Sequence, residues 1–147
     1  MSNRVLVSDV GGTNVRFAVA ETINNTIIVQ NFLKLENDKF PRFYDALDTY
    51  IQDTSLKTQG LPCVFAFAGP VANDEVKLTN RDWSVSTKKL RQEFGLAPHK
   101  LINDFEAWAR SVPELPFTDF QFIKQGAPVE DAPVLVAGPG TGFGVAS

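Results

Sequence analysis

The chain has 147 residues, the length of about one ordinary domain. Its hydrophobic fraction of 44% and charged fraction of 21% are typical of globular proteins and argue against disorder or a coiled coil. A net charge of −3 excludes nucleic-acid binding through bulk positive charge, and the apolar runs are too short for a membrane helix or a signal peptide. The single cysteine excludes an intramolecular disulfide, so we expect a cytoplasmic protein.

The first part of the chain predicts three antiparallel strands and then a helix. The predicted strands are residues 4–10, 14–20 and 26–35, each rich in β-branched or alternating apolar residues. Gly11–Thr13 joins the first two as a tight hairpin. Phe40–Ile51 has the apolar spacing of an amphipathic helix, with Pro41 in its first turn.

The middle of the chain predicts two further strand–helix pairs. The apolar run 61–68 is typical of a buried parallel strand, and a loop with one short strand follows over 71–83. A helix capped by Ser86 or Thr87 ends at Gly95. Leu101–Ile102 is a short strand before a helix over 105–112. The predicted order is therefore β-β-β-α-β-α-β-α.

The last quarter differs in composition. Acidic and basic residues balance over residues 1–110, whereas residues 111–147 carry four acidic side chains against Lys124 alone, and five of the nine prolines. Prolines divide a chain into short pieces. We therefore predict a first domain over 1–111, a linker over 112–132, and a strand–turn–strand hairpin over 133–147 that begins another domain.

Two glycine-rich loops are candidate phosphate sites. In Asp9–Asn14 the glycines allow close backbone approach, the N–H groups and the Thr13 hydroxyl can bind phosphate oxygens, and Asp9 can hold hydrated Mg²⁺. A plain glycine hairpin is the alternative. Gly138–Gly144 lacks both the third glycine of a dinucleotide fingerprint and the lysine of a P-loop, so it predicts a second Gly-Thr hairpin able to meet phosphates.

Polar residues at two other loops are candidates for binding and catalysis. Asp104 follows a strand directly and is either a general base for a hydroxyl group or an N-cap of the next helix. Asn103 beside it, and Asn80 in a loop, can bind ligand hydroxyls or satisfy their own turns.

The remaining reactive or aromatic side chains are interpreted as structural. His99 is placed in a loop without a second metal ligand nearby, and Cys63 lies in an apolar strand as an inert core residue. Trp83 and Trp108 are interpreted as packing groups.

Several motifs occur together in an order and spacing that resemble the bacterial glucokinase family, within the sugar-kinase, actin and Hsp70-like ATPase fold. They are Asp9–Ala18 (DVGGTNVRFA), Phe67–Val71 (FAGPV), Leu78–Asn80 (LTN), Trp83, Leu101–Phe105 (LINDF) and Gly140–Ala146 (GTGFGVA). The resemblance covers Val5 to Ala146 and implies a ribonuclease H-like α/β domain, with little of the second domain.

The resemblance also implies roles for individual residues. Asp104 is the catalytic base that takes the proton of the sugar 6-hydroxyl, and Asn80, Asn103 and Asp104 bind the sugar. The implied ATP phosphate ligands are Ser8, Asp9, Val10, Gly11, Gly12, Thr13, Gly140, Thr141 and Gly142. Ser8 stands where relatives often have glycine. The implied cofactor is Mg²⁺, held through water at Asp9.

By the same resemblance, the activity is ATP-dependent phosphorylation of glucose to glucose 6-phosphate. Family members are about twice as long, and their second domain supplies further glucose ligands and the adenine pocket. We therefore expect this chain alone to be inactive and to need that domain as its partner; the resemblance is compatible with a homodimer of the full-length enzyme. The alternatives are a non-catalytic remnant and a sugar-responsive regulator.

Overall fold

The structure, a computed structural model, describes residues 4–79, 81–127, 129–130, 132–139 and 143–147. Two sets of candidate site residues, Asn80 and Gly140–Gly142, lie outside the described residues. Contacts divide the chain into two compact units, one up to Asp104 and one from Phe105 onward. No helix in the described part of the chain is long and apolar enough to span a membrane.

The first unit is a mixed five-stranded sheet with helices and a smaller sheet. In chain order its elements are β1 (Arg4–Val10), β2 (Asn14–Ile23), β3 (Thr26–Glu36), α1 (Phe43–Thr54), β4 (Pro62–Phe67), β5 (Val71–Ala72), β6 (Glu75–Lys77), β7 (Ser84–Ser86), α2 (Thr87–Phe94), β8 (Ala97–Asn103) and the first residue of α3 (Asp104–Ser111). The large sheet has the order β3-β2-β1-β4-β8. β1 pairs antiparallel with β2 and parallel with β4, and β4 pairs parallel with β8. The predicted fold class and order of the major elements are confirmed.

An aromatic cluster forms the core between the sheet and α1. The Phe17 and Tyr50 rings lie 5.0 Å apart, and Phe43 lies 5.6 Å from both Phe65 and Phe67, centroid to centroid. All five side chains are almost fully buried. Aromatic contacts of this kind add to the stabilisation that comes from burying apolar area. The packed core in turn holds in place the strands that lead to the site.

The helix α1 begins later than its apolar spacing predicts. It starts at Phe43, whereas the prediction had Phe40 as its first residue and Pro41 in its first turn. The chain first makes a short 3-10 turn over Asn37–Lys39, and the Asp45 carboxylate accepts the backbone N–H of Arg42 over 2.9 Å. Arg42 therefore caps the helix and both earlier residues lie outside it.

The segment between β4 and α2 holds more strands than predicted. β5, β6 and β7 form a separate antiparallel sheet, where the sequence indicated one short strand. Asn73 and Asp74 connect β5 to β6 at positive φ of 52° and 60°, a backbone conformation that these residue types tolerate well. The caps of α2 are as predicted, since Ser86 Oγ accepts the Lys89 N–H and Gly95 ends the helix at φ 65°.

The strand β8 is longer than predicted and contains His99. The register with β4 shifts between Cys63 and Val64, so that Pro98 and Lys100 have partners and His99 is the extra residue of an irregularity. The prediction that His99 lies in a loop is therefore wrong. The sequence does not reveal this strand, because Leu101 and Ile102 after the irregularity are both buried and no apolar alternation marks the residues around His99.

Among its described residues, the second unit contains most of α3, two short 3-10 turns and one hairpin. The hairpin pairs β9 (Val136–Pro139) with β10 (Phe143–Ala146) antiparallel. β9 begins at Val136, later than the predicted start at residue 133, and includes Gly138 and Pro139, which were assigned to the turn. A methyl group at Gly138 would lie 3.2 Å from the Phe105 ring, so the glycine admits this close approach.

The exposure of Trp108 and the end of the first unit both differ from the predictions. Trp108 is 64% exposed, so the prediction that it is a packing group is wrong for the chain described here. The contacts divide the chain after Asp104, earlier than the boundary predicted after residue 111. The division of the complete protein into domains stays a prediction.

Candidate functional site

The carboxyl ends of three parallel strands form the candidate site in the first unit. Val10 of β1 pairs with Phe67 of β4, and Phe67 pairs with Asn103 of β8. Since neighbouring strands lie about 4.8 Å apart, the ends of β1 and β8 are separated by roughly 10 Å. The loops that follow these strands therefore open on one edge of the sheet, which is where open α/β sheets bind ligands.

The connection from β1 to β2, which we call the phosphate hairpin, consists of Gly11, Gly12 and Thr13. The Gly11 N–H donates to the Asn14 carbonyl over 3.0 Å and closes the turn, as predicted. Gly12 and Thr13 are exposed. Exposed backbone N–H groups and a threonine hydroxyl in a tight turn can bind phosphate oxygens.

Asp9 lies one residue before the end of β1 and is paired with Arg16 on β2. The two residues are direct partners in the antiparallel register, and Arg16 Nη1 donates to Asp9 Oδ2 over 2.7 Å. The Asp9 side chain is 53% exposed. A half-exposed carboxylate suits Mg²⁺, which keeps several waters and binds through few protein oxygens. Asp9 thus fits the implied cofactor.

Ser8 and Val10 flank Asp9 within β1, and both side chains are buried. Ser8 Oγ has no hydrogen-bond partner among the described residues. Val10 has no exposed side-chain surface, so it can reach a ligand through its backbone alone. The implied phosphate contacts of these two residues stay predictions.

Asn103 and Asp104 lie where β8 passes into α3. Asn103 Nδ2 donates to the Gly69 carbonyl over 3.1 Å and to the Phe67 carbonyl over 3.5 Å. These bonds fix the orientation of the amide and hold the turn after β4. Asp104 is the first residue of α3 and is partly buried, so its carboxylate lies in the positive end of the helix dipole.

Three residues with contacts to the site were not singled out from the sequence. Arg16 is one, and its pairing with Asp9 follows from the hairpin register, which the motif already implies. Asn37 and Arg81 are the others; Asn37 donates to Gly11, and Arg81 donates to Asn37. The sequence does not mark Asn37 and Arg81 as site residues, because their contacts join segments that are far apart in the chain.

Two of the residues interpreted as structural, Cys63 and Trp83, lie in the core. Cys63 is buried in the core, as predicted, and burial raises the pKa of its thiol to about 12. Trp83 is buried and donates its indole N–H to the Pro41 carbonyl over 3.0 Å, so it is a packing group as predicted.

Comparison with known proteins decides the family. The family model described as glucokinase matches residues 6–147. The chain belongs to the glucokinase family. A glucokinase of Chromobacterium violaceum is 37% identical over 97% of this chain. The crystal structure of a glucokinase from an Antarctic psychrotroph superposes over 99% of the chain with a TM-score of 0.83 and 31% identity.

A more distant structure agrees in fold. The glucokinase of Balamuthia mandrillaris, solved in complex with glucose, has a TM-score of 0.66 at 21% identity over 98% of the chain. The chain spans 40% of the Chromobacterium violaceum protein and 46% of the psychrotroph protein. It therefore corresponds to less than half the length of these relatives and to an N-terminal part of a glucokinase.

Proposed function

We propose that the complete gene product carrying residues 1–147 transfers the γ-phosphoryl group of ATP to the 6-hydroxyl of glucose. In this proposal the chain supplies the phosphate hairpin and the catalytic base. The observation that carries it is the register of β1, β4 and β8, which brings the ends of β1 and β8 to one edge of the sheet roughly 10 Å apart, with the hairpin after β1 and Asp104 after β8. That spacing leaves room for a phosphoryl group between nucleotide and sugar.

The residues at this edge have distinct tasks. Backbone N–H groups of Gly11–Thr13 and the Thr13 hydroxyl bind phosphate oxygens and orient the nucleotide. Asp9 holds hydrated Mg²⁺, which neutralises charge on the phosphates when bound. The second Gly-Thr hairpin, with Gly140, Thr141 and Gly142, is proposed to meet the phosphates as well.

Asp104 accepts the proton of the attacking hydroxyl. General-base catalysis is typically worth about 10²–10⁴-fold. Asn103, whose amide orientation is fixed by the Gly69 carbonyl, binds a neighbouring hydroxyl, and Asn80 is proposed to bind another. Glucose as the acceptor is supported by the family and by the glucose complex of the Balamuthia mandrillaris enzyme. A cytoplasmic location, where ATP is abundant, agrees with this activity.

The test is a coupled glucose 6-phosphate assay on the complete gene product and on Asp104→Asn. We expect the variant to lose at least about 100-fold in kcat, because the amide cannot accept the proton. Glu106→Gln, on the same helix and paired with Arg110 over 3.0 Å, is the matched control and keeps its activity. A kcat of Asp104→Asn within tenfold of wild type contradicts the assignment of the base.

The alternatives give different results in the same assay. A sugar-responsive regulator or a non-catalytic remnant shows no glucose 6-phosphate even for the wild-type protein. Calorimetry with glucose then separates the two, since the regulator binds the sugar and the remnant does not. Either result contradicts the proposed kinase activity.

A further inference from the structure

Asn37 holds the phosphate hairpin through two hydrogen bonds. It follows β3 in the short 3-10 turn, and its side chain is fully buried. Asn37 Nδ2 donates to the Gly11 carbonyl over 2.8 Å, and its backbone N–H donates to the Thr13 carbonyl over 2.9 Å. One residue thus binds both the first and the last residue of the hairpin.

Arg81 in turn holds the segment that carries Asn37. Its Nη1 donates to the Asn37 carbonyl over 3.1 Å, and its Nη2 pairs with the Asp38 carboxylate. The guanidinium lies 5.1 Å from the centroid of the Trp83 ring, a cation–π distance. The Arg81 side chain is 18% exposed and that of Asp38 is 84% exposed, so the bond to the Asn37 carbonyl is better shielded from solvent and salt than the ion pair.

Arg81 belongs to the loop that is proposed to bind the sugar. It directly follows Leu78–Asn80 in the sequence. The Leu78 N–H donates to the Trp83 carbonyl over 3.0 Å and closes the loop 78–83 at its base. A continuous set of contacts therefore runs from Arg81 through Asn37 to Gly11.

We propose that Asn37 and Arg81 are positioning residues that hold the phosphate hairpin in its binding conformation. The inference rests on the proposed kinase function and adds residues outside the hairpin on which its affinity for the nucleotide depends. Asn37 is fully buried and bonded at both ends of the hairpin, so removing its side chain releases the Gly11 carbonyl. Phosphoryl transfer depends on alignment, and a misplacement of about 1 Å can cost about 10²-fold in rate.

The first experiment measures steady-state kinetics of the complete gene product with Asn37→Ala. We expect the KM for Mg-ATP to rise about tenfold, the effect of losing one part-buried hydrogen bond to the Gly11 carbonyl, while the KM for glucose changes less than about twofold. Arg81→Ala is also expected to raise the KM for Mg-ATP. The double variant should show less than the product of the two single effects, because both residues act through the same hairpin.

Arg42→Ala is the matched control. It removes the ion pair with Asp45 at the start of α1, a few residues from Asn37. It should lower the melting temperature without changing either KM. Equal changes in both KM values for Asn37→Ala, or single effects that multiply in the double variant, overturn the positioning role at the hairpin.

A second measurement needs no turnover and separates this inference from the proposed function. The Gly11 amide is hydrogen-bonded to Asn14, so its exchange with deuterium reports how firmly the hairpin is held. We expect faster exchange at Gly11 in Asn37→Ala and in Arg81→Ala than in Arg42→Ala. If wild type has no kinase activity, the proposed function fails, and equal exchange rates in all three variants overturn the positioning role independently.

Discussion

Ser8 and Tyr50 are buried, and their hydroxyl groups have no hydrogen-bond partner among the described residues. A buried hydroxyl without a partner costs about 1–3 kcal/mol. The two residues lie in different elements, Ser8 in β1 and Tyr50 in α1. Removing either hydroxyl group by substitution therefore tests what that group does, while the rest of the side chain stays packed in the core.

Ser8→Ala distinguishes a strand residue from a phosphate ligand. Removing the hydroxyl should raise the free energy of unfolding by about 1 kcal/mol, because the buried group no longer lacks a partner. Urea unfolding measures this change, and the KM for Mg-ATP in the complete gene product should stay at the wild-type value. A raised KM without a gain in stability would instead support the phosphate contact that the family resemblance implies.

Tyr50→Phe tests how burial couples stability to alkaline pH. Burial raises the pKa of Tyr50 to about 12, from an ordinary value of 10.0. The folded state thus keeps a proton that the unfolded chain loses, so the stabilisation is complete below about pH 10 and is lost as pH rises through 12. Urea unfolding from pH 8 to 11.5 should show a smaller alkaline loss for Tyr50→Phe than for wild type. Parallel pH profiles for the two proteins contradict the assignment.

At the scale of the element, any side chain introduced at Gly12 should weaken the binding of ATP by the phosphate hairpin. Gly12→Val places a β-branched side chain where the backbone N–H groups are proposed to meet phosphate, so the KM for ATP should rise at least about tenfold and the affinity for glucose should change less. Calorimetry with each ligand measures both. Gly126→Val is the control, since a Cβ at Gly126 would meet nothing within 4 Å. Equal losses of both affinities would indicate a misfolded hairpin.

The elements that the sequence predicts well are those specified by local chemistry. The Gly11–Thr13 hairpin and the caps of α2 at Ser86 and Gly95 depend on residues close together in the chain, and the structure has them as predicted. The start of α1 and the irregularity at His99 are decided by contacts with other elements. Apolar periodicity does not contain that information.

The residues of the candidate site likewise fall into those that local sequence reveals and those that depend on contacts with distant segments. Asp9 and Asp104 are recognisable because a turn or a strand end places them at the sheet edge. Asn37 is hidden, because its contacts to Gly11 and Thr13 depend on how β3 ends beside the hairpin. Positioning residues of this kind become visible when the backbone is known.

At the scale of the whole molecule, the second unit carries apolar side chains that its own fold leaves exposed. Val134, Leu135, Phe143 and Val145 are each at least half exposed. Phe143 and Val145 lie on the same face of β10, since side chains alternate along a strand. An exposed apolar face on a two-stranded hairpin favours self-association.

A polypeptide of residues 1–147 alone should therefore neither phosphorylate glucose at a useful rate nor remain monomeric. The chain corresponds to less than half the length of its relatives, and the resemblance assigns further glucose ligands and the adenine pocket to the other part. Alignment of reacting groups supplies up to about 7–11 kcal/mol of the catalytic effect, and half a cleft loses most of it. A coupled assay and a sizing column test both expectations, and Phe143→Lys with Val145→Lys should shift the polypeptide towards monomer without restoring activity. A monodisperse wild-type monomer that turns over glucose at about one per second, an ordinary enzymatic rate, would contradict both.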